Sequence, residues 1–370
     1  MVADEQLARS KRIQQRTGRT FHFATRLLPE RIRHPTYVLY AFFRVADEVV
    51  DDPDPAPPAE QRARLERLRD VALGRTDADE SAETDAADLA DAADSADSSG
   101  PPEDPSAAAD DDDDGGDVAG VDAAAGATST DVDPVVSAFS AVREEYGIAD
   151  EDVDVFVDAM LSDIETDRYE TYDELEAYMD GSAAAVGRMM TAVMDPELPE
   201  QARTHATALG EAFQLTNFVR DVREDIVERD RVYLPEETLD RYGVTADQLR
   251  RFEFDDDVAA AIRHETQRAE ELYKEGVAGI QYLPADCRFA VLLSAVLYAE
   301  HHRLVRRRGY DTLTATPQLG AMRKTVLLAR TWWAWIRTKD PEAVFRSVSC
   351  VPYGDRAQAD ARHSDTSPAR

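Results

Sequence analysis

The chain has 370 residues, enough for one large domain or two small ones, with 43% AVILMFWYC residues to form a core and a formal charge of −33. No stripe of positive charge accompanies that acidity, which excludes a nucleic-acid reader. The only cysteines, Cys287 and Cys350, make neither a disulfide framework nor a zinc cluster and point to a reducing cytoplasm.

Met1 to Thr20 is charged throughout and lacks the apolar centre of a secretory signal. Residues 1–75 are expected to form the first part of a helical domain, with apolar residues at three-four spacing from Tyr37 to Val50. From Thr76 to Asp133 there are 20 Asp and Glu but no Lys, Arg or aromatic residue, which leaves 55 acids against 42 bases elsewhere. Such a segment cannot bury enough apolar area to offset the entropy of ordering, so residues 76–133 are expected to be a disordered acidic insertion, a solvated spacer. The remaining acidity predicts a salt-adapted cytoplasm, where screening weakens carboxylate repulsion.

Helical periodicity resumes in Val153 to Ile164, Leu175 to Val193, Thr204 to Ile226, Val258 to Gly276, Arg288 to Arg306 and Met322 to Ile336, with no alternating strand pattern. Pro29, Pro35, Pro134, Pro196, Pro199, Pro235 and Pro284 fall between these segments, as helix-breaking residues should. Residues 134–340 are therefore read as the remainder of one all-α domain, and 341–370 as a polar tail. The longest apolar run, Phe289 to Ala299, is too short to span a bilayer, so the protein is expected to be soluble or peripheral and is compatible with a monomer. Trp332, Trp333 and Trp335 with Arg330 and Arg337 read either as helix packing or as a membrane interface.

The chemistry is concentrated in two segments. At about 100° per residue, Tyr40, Arg44, Asp47 and Asp51 fall within an arc of about 60°. Val38, Ala41, Val45 and Val49 occupy the back of the same helix, so the acids form a narrow polar stripe in apolar company, the pattern of a pocket wall. In the second segment Gln214, Asn217, Asp221 and Asp225 gather within about 80°, opposite Ala212, Leu215, Val219, Val222 and Ile226. Oxygen ligands on successive turns suit a hard divalent cation such as magnesium, or manganese in its place, and do not suit zinc or iron. Carboxylates collected in an apolar pocket are costly without such a cation. Arg44 and Arg220 stand beside the two clusters, able to grip phosphate oxygens. Together the stripes point to a magnesium-held diphosphate.

The stretches Phe42 to Asp51 and Gln214 to Asp225, with Arg231-Val232-Tyr233-Leu234-Pro235, resemble the two signatures of the squalene and phytoene synthase family. The resemblance extends through Thr20 to Pro29, Asp163 to Tyr169, Tyr178 with Val186-Gly187, and Arg308-Gly309-Tyr310. It implies an isoprenoid synthase fold around a central cavity, and head-to-head joining of two prenyl diphosphates through a cyclopropylcarbinyl diphosphate. Carried over residue by residue, it implies metal ligands Asp47, Asp51, Asn217, Asp221 and Asp225, with Arg44 and Arg220 assisting catalysis. It likewise implies substrate contacts from Tyr40, Gln214, Arg231, Tyr233, Tyr178, Tyr298 and Phe21. Glu48 projects off the first stripe and Glu224 lies on the flank of the second.

The chain departs from the family pattern in three places. Thr17-Gly18 replaces a common His-Ser pair, Asp180 stands where a second tyrosine often follows Tyr178, and the stretch from Asp225 to Arg231 is one residue longer than usual. The motif wording is closer to the phytoene branch, which takes two C20 diphosphates without NADPH, than to squalene or dehydrosqualene synthases taking two C15 diphosphates. A terpene cyclase or chain-elongating prenyltransferase would use similar clusters, whereas a helical scaffold would have no reason to confine its acids to two stripes.

Overall fold

In a computed structural model of the chain, the described residues are 24–52, 54–75 and 133–353, and they form helix after helix with no strand beyond an isolated parallel bridge between Arg168 and Val232. The expected acidic insertion apart from its last residue, Asp133, lies outside the described residues, as do Phe21 and Thr17-Gly18. The chain runs through α1 (Glu30–Val50), α2 (Pro58–Ala72), α3 (Asp133–Tyr146), α4 (Asp150–Ser162) and α5 (Tyr172–Met179). A π-helical turn, Asp180–Ala184, leads into α6 (Ala185–Met194), α7 (Pro199–Arg220) and α8 (Val222–Arg229). The short helices α9 (Glu236–Arg241) and α10 (Ala246–Arg250) precede the long pair α11 (Asp256–Ala278) and α12 (Ala285–Arg307), followed by α13 (Ala321–Thr338) and α14 (Pro341–Val348). No described helix is long and apolar enough to cross a membrane.

Three expectations about boundaries need correction. Pro35 lies inside α1 instead of ahead of it. A proline there cannot donate to the carbonyl of Arg31, and the hydroxyl of Tyr146 on α3 donates to that oxygen at 3.2 Å. The segment Leu175 to Val193 is interrupted by the π turn, which begins at Asp180. The tail expected from residue 341 starts as a helix, because Val344, Phe345 and Val348 are buried against the body.

The main core gathers α1, α3 and α4, where Phe42 stacks on Phe139 with ring centres 3.8 Å apart, and extends through α7, α11 and α12. A smaller core of Val219, Val222, Ile226, Leu234, Leu239, Leu249 and Ile262 lies beneath α8 and the short helices. It fixes the second acidic segment from below.

The position of α7 depends on close backbone approach. A Cβ on Gly210 would lie 2.6 Å from the carbonyl oxygen of Ala183 in the π turn, and one on Gly276 of α11 would lie 2.7 Å from the Leu209 backbone. Neither obstacle is the flexible end of a side chain. Gly276→Ala must push α11 away from the helix carrying Asn217 and Asp221, and is expected to lower stability by about 1–3 kcal/mol, measured by chemical unfolding. Nearby, the buried hydroxyl of Thr216 meets His302 Nε2 at 2.9 Å and the Tyr273 hydroxyl at 3.0 Å. That contact fixes the rotation of α7 one residue before Asn217.

Candidate active site

On α1 the packed side takes Val38, Leu39, Ala41, Phe42, Val45, Ala46 and Val49 out of solvent, while Tyr40, Arg44 and Asp47 remain half-buried and Glu48 is exposed. This is the narrow stripe read from the sequence. Asp51 ends the helix, its N–H donating to the Asp47 carbonyl at 2.9 Å. Arg44 reaches Asp47 at 3.9 Å and Glu48 at 3.5 Å.

The second segment keeps its seam but is not one continuous helix. Ala212, Leu215, Val219, Val222 and Ile226 are buried as expected. Asp221, however, adopts φ −103° and ψ 17° and separates α7 from α8. The i to i−4 bonds survive across the break, from Asp221 N to Asn217 O at 2.8 Å and from Asp225 N to Asp221 O at 2.9 Å. Asn217, Asp221 and Asp225 therefore keep their register while α8 pivots. The break is local and leaves the cluster whole.

The extra residue before Arg231 is absorbed by a left-handed turn at Asp230, φ 52°, which lets the Arg231 N–H return to the Asp225 carbonyl at 3.2 Å. That turn brings two arginines onto the two acid clusters. Arg229 lies between them, 3.2 Å from Asp51 and 3.3 Å from Asp225. Arg231 reaches Asp51 at 3.4 Å, donates to the Asp163 carbonyl at 2.7 Å and to the Tyr233 hydroxyl at 3.3 Å, and stands 3.6 Å from the Asp163 carboxylate. The two clusters thus face one another across the Arg229 guanidinium, with Arg231 tying Asp51 to Asp163 beside it.

Tyr178 donates to Asp163 at 2.9 Å. Its ring belongs to an aromatic wall with Tyr169, Phe218 and Tyr233, in which Phe218 and Tyr233 stack at 4.0 Å and Tyr178 lies 5.9 Å from Tyr233. On the other flank Arg220 pairs with both oxygens of Asp221. Tyr298 stacks on Phe213 at 4.6 Å, close enough to feel the charge of Arg220 and Asp221 and the hydroxyl of Tyr40. Gln214 is half-buried on α7, three residues before Asn217. Asp180 does not add charge to this site, because Arg188 takes it at 2.5 Å and also holds the buried Asp152 at 2.7 Å.

Burial pushes Asp47 and Asp225 each up to about 7, with Arg44 and Arg229 respectively opposing the rise and the neighbouring acids adding to it. Burial likewise raises Asp163 to about 6, against Arg231 and the Tyr178 hydrogen bond. Asp47 keeps some exposure from within a concave wall, so enclosure by protein and contact with water coexist there. Burial disfavours the charge on Arg229 and Arg231, yet the surrounding carboxylates raise both above the ordinary arginine range. Among the described residues no three acidic, histidine or cysteine side chains converge on one metal position. The arginines hold the carboxylates that would have to converge.

Two site residues had been given no role from sequence. Asp163 falls in a stretch noted only for its family likeness, and its place beside Asp51 depends on the packing of α4. Arg229 carried a usable signal, since it stands one helical turn after Asp225.

Residues 14–323 match the family model described as squalene/phytoene synthase. The chain belongs to the squalene/phytoene synthase family. It is 30% identical over 322 residues to a phytoene synthase of Rhodobacter capsulatus, covering 85% of this chain and 77% of that one. It is 28% identical over 331 residues to a 15-cis-phytoene synthase of Synechococcus elongatus, covering 85% and 88%. A solved dehydrosqualene synthase superposes with a TM-score of 0.64 at 25% identity, over 88% of this chain and 94% of that one. A squalene synthase from Alicyclobacillus acidocaldarius shares the fold, with a TM-score of 0.61 at 20% identity over 83% and 95%. These likenesses establish the isoprenoid synthase fold and a head-to-head prenyltransferase.

Proposed function

We propose that this prenyltransferase is a magnesium-dependent phytoene synthase. It joins two geranylgeranyl diphosphates through a cyclopropylcarbinyl diphosphate and releases two diphosphates, in a step of carotenoid synthesis that uses no NADPH. The observation that carries this reading is the pair of acid clusters facing each other across Arg229, with Arg231 on Asp51 and a wall of four aromatic rings beside them. The choice of C20 chains follows the relatives named phytoene synthase, which match most of the chain. Two C15 chains, giving squalene or dehydrosqualene, are the second reading, favoured by the structural likeness to a dehydrosqualene synthase.

The residues suit a magnesium-bound diphosphate. The donor set is all oxygen, from Asp47, Asp51, Asn217, Asp221 and Asp225, and Arg44 Nε makes no hydrogen bond among the described residues, with the Glu48 carboxylate 3.5 Å away. When bound, magnesium supplies Lewis-acid neutralisation of the leaving diphosphate charge. Arg44, Arg220, Arg229 and Arg231 provide positive charge around that leaving group, while Tyr40 and Tyr298 border it. The faces of Tyr169, Tyr178, Phe218 and Tyr233 stabilise the allylic cation and exclude water from it. In this reading the enzyme works in a salt-rich cytoplasm as a monomer, and its lipid substrates bring it into peripheral contact with a bilayer.

Magnesium needs ionised carboxylates, whereas Asp47 and Asp225 are raised to about 7. Affinity for the metal is therefore expected to fall as pH drops from about 8 to about 6, with protons released on binding. Because these folded-state pKa values lie above the ordinary carboxylate range, the metal-free protein is also expected to lose stability as pH rises from about 4 to about 7. Calorimetry in buffers of different ionisation heat measures the proton release, and pH-independent affinity would contradict the ligand assignment. Incubation with C15 and with C20 diphosphates, with and without magnesium and NADPH, tests the substrate. Phytoene from the C20 substrate alone is expected, and efficient conversion of the C15 substrate to squalene would overturn the chain length but not the site.

A further inference from the structure

Of the large hydrophobic side chains exposed among the described residues, Met322, Val326, Trp332, Trp333 and Ile336 all belong to α13, and only Leu27, Leu198 and Val227 lie elsewhere. They are 42% to 84% exposed, and their clustering on one helix is not the scatter of an ordinary surface. Leu327, Thr331 and Trp335 supply the buried side of α13. Around the helix axis Met322, Val326, Ala329, Trp333 and Ile336 fall within about 80° of one another, directly opposite that buried side.

The charge on this helix also differs from the rest of the chain. Residues 321–339 hold Arg323, Lys324, Arg330, Arg337 and Lys339 and no acid, in a protein with 75 acids and 42 bases. Arg323 is held by Glu300 at 2.7 Å. Arg330 and Arg337 flank one edge of the apolar stripe, and Lys339 caps the end of the helix over the Trp335 ring; Arg337 lies over the Trp333 ring and donates to its carbonyl at 2.8 Å. The nearest following acid, Asp340, caps α14 through the Ala343 N–H at 3.1 Å. An apolar stripe carrying tryptophans and bordered by cations is the pattern of a helix lying in a lipid headgroup region.

We infer that the outer face of α13 docks on a bilayer surface bearing anionic headgroups. A second copy of the chain fits the face less well. Two-fold pairing through α13 would bring Arg330 and Arg337 against their own counterparts, with no acid on either helix to offset them. On the inner side, Phe289 of α12 meets Trp332 edge-on at 5.2 Å. Tyr298 lies nine residues further along that same helix, about 14 Å at 1.5 Å per residue. Docking through α13 therefore brings the bilayer near the helix that borders the candidate site, and it deepens the peripheral contact proposed above.

All three tryptophans of the chain lie on this helix, so selectively excited tryptophan fluorescence reports on it alone. The full chain is mixed with phosphatidylcholine vesicles, with and without phosphatidylglycerol, in the absence of any prenyl diphosphate. Flotation and a blue shift of emission are expected with the anionic vesicles. Trp333→Ser with Ile336→Ser is expected to weaken binding about tenfold or more, and Arg330→Gln with Arg337→Gln to remove the preference for anionic vesicles. Circular dichroism confirms that each variant is folded. Wild-type protein that does not float, or variants that float like wild type, would overturn the inference. So would sedimentation showing that wild type is a dimer and the Trp333→Ser, Ile336→Ser variant a monomer. Binding is read without turnover, so failure here would leave the proposed reaction untouched.

Discussion

Asp221→Asn, and independently Asp47→Asn, are expected to reduce diphosphate release by about a hundredfold to a thousandfold or more while the protein stays folded. Asp221 is the break between α7 and α8, held by Arg220, and Asp47 stands on the half-buried stripe of α1 beside Arg44. Each substitution keeps the shape of the side chain and removes the charge that a metal-bound diphosphate requires. For Asp47 the change also removes a carboxylate that burial already disfavours in its charged form, so stability is expected to hold or rise. Steady-state release of diphosphate, with unfolding curves on the same samples, separates the two effects. A variant that turns over normally would show that its cluster does not carry the chemistry.

Arg231→Met is expected to cost about 3–5 kcal/mol of stability and to abolish turnover, because it leaves a buried acid without its partner. Arg231 serves Asp51, the carbonyl and carboxylate of Asp163, and the Tyr233 hydroxyl at once. Asp163 is itself buried, with one carboxylate oxygen lacking a hydrogen bond. Lysine at the same position restores charge but not the planar fork, so Arg231→Lys should recover only part of the loss. Chemical unfolding gives the measurement. A loss below about 1 kcal/mol for Arg231→Met, the range of an exposed pair, would mean that the network does not anchor Asp51 to Asp163.

The polar stripe of α1 was legible in the sequence because residues four apart on a helix must share a face, and Val38, Ala41 and Val45 marked the other side without ambiguity. The seam behind Asn217, Asp221 and Asp225 was legible for the same reason, and the break at Asp221 was not, since the hydrogen-bond ladder runs on through it. Pro35 looked like a helix boundary because its compensation, the Tyr146 hydroxyl, comes from a helix more than a hundred residues later. Asp163 and Arg229 escaped notice because each becomes part of the site through a partner on another element. The helix Pro341–Val348 was hidden in a polar stretch, where three apolar residues suffice to dock it against α13 and α12. Chain length of the substrate depends on cavity depth, which the sequence does not give, so the choice of C20 chains leans on motif wording and on the relatives named phytoene synthase.

The central claim is that facing acid clusters ionise two prenyl diphosphates in succession on one protein. Counting diphosphate against hydrocarbon in the same reaction mixture tests it most directly. Two diphosphates per hydrocarbon formed from two substrate molecules, with none released when magnesium is chelated, is the expected result. One diphosphate per product, as a cyclase or a chain-elongating transferase would give, would contradict it.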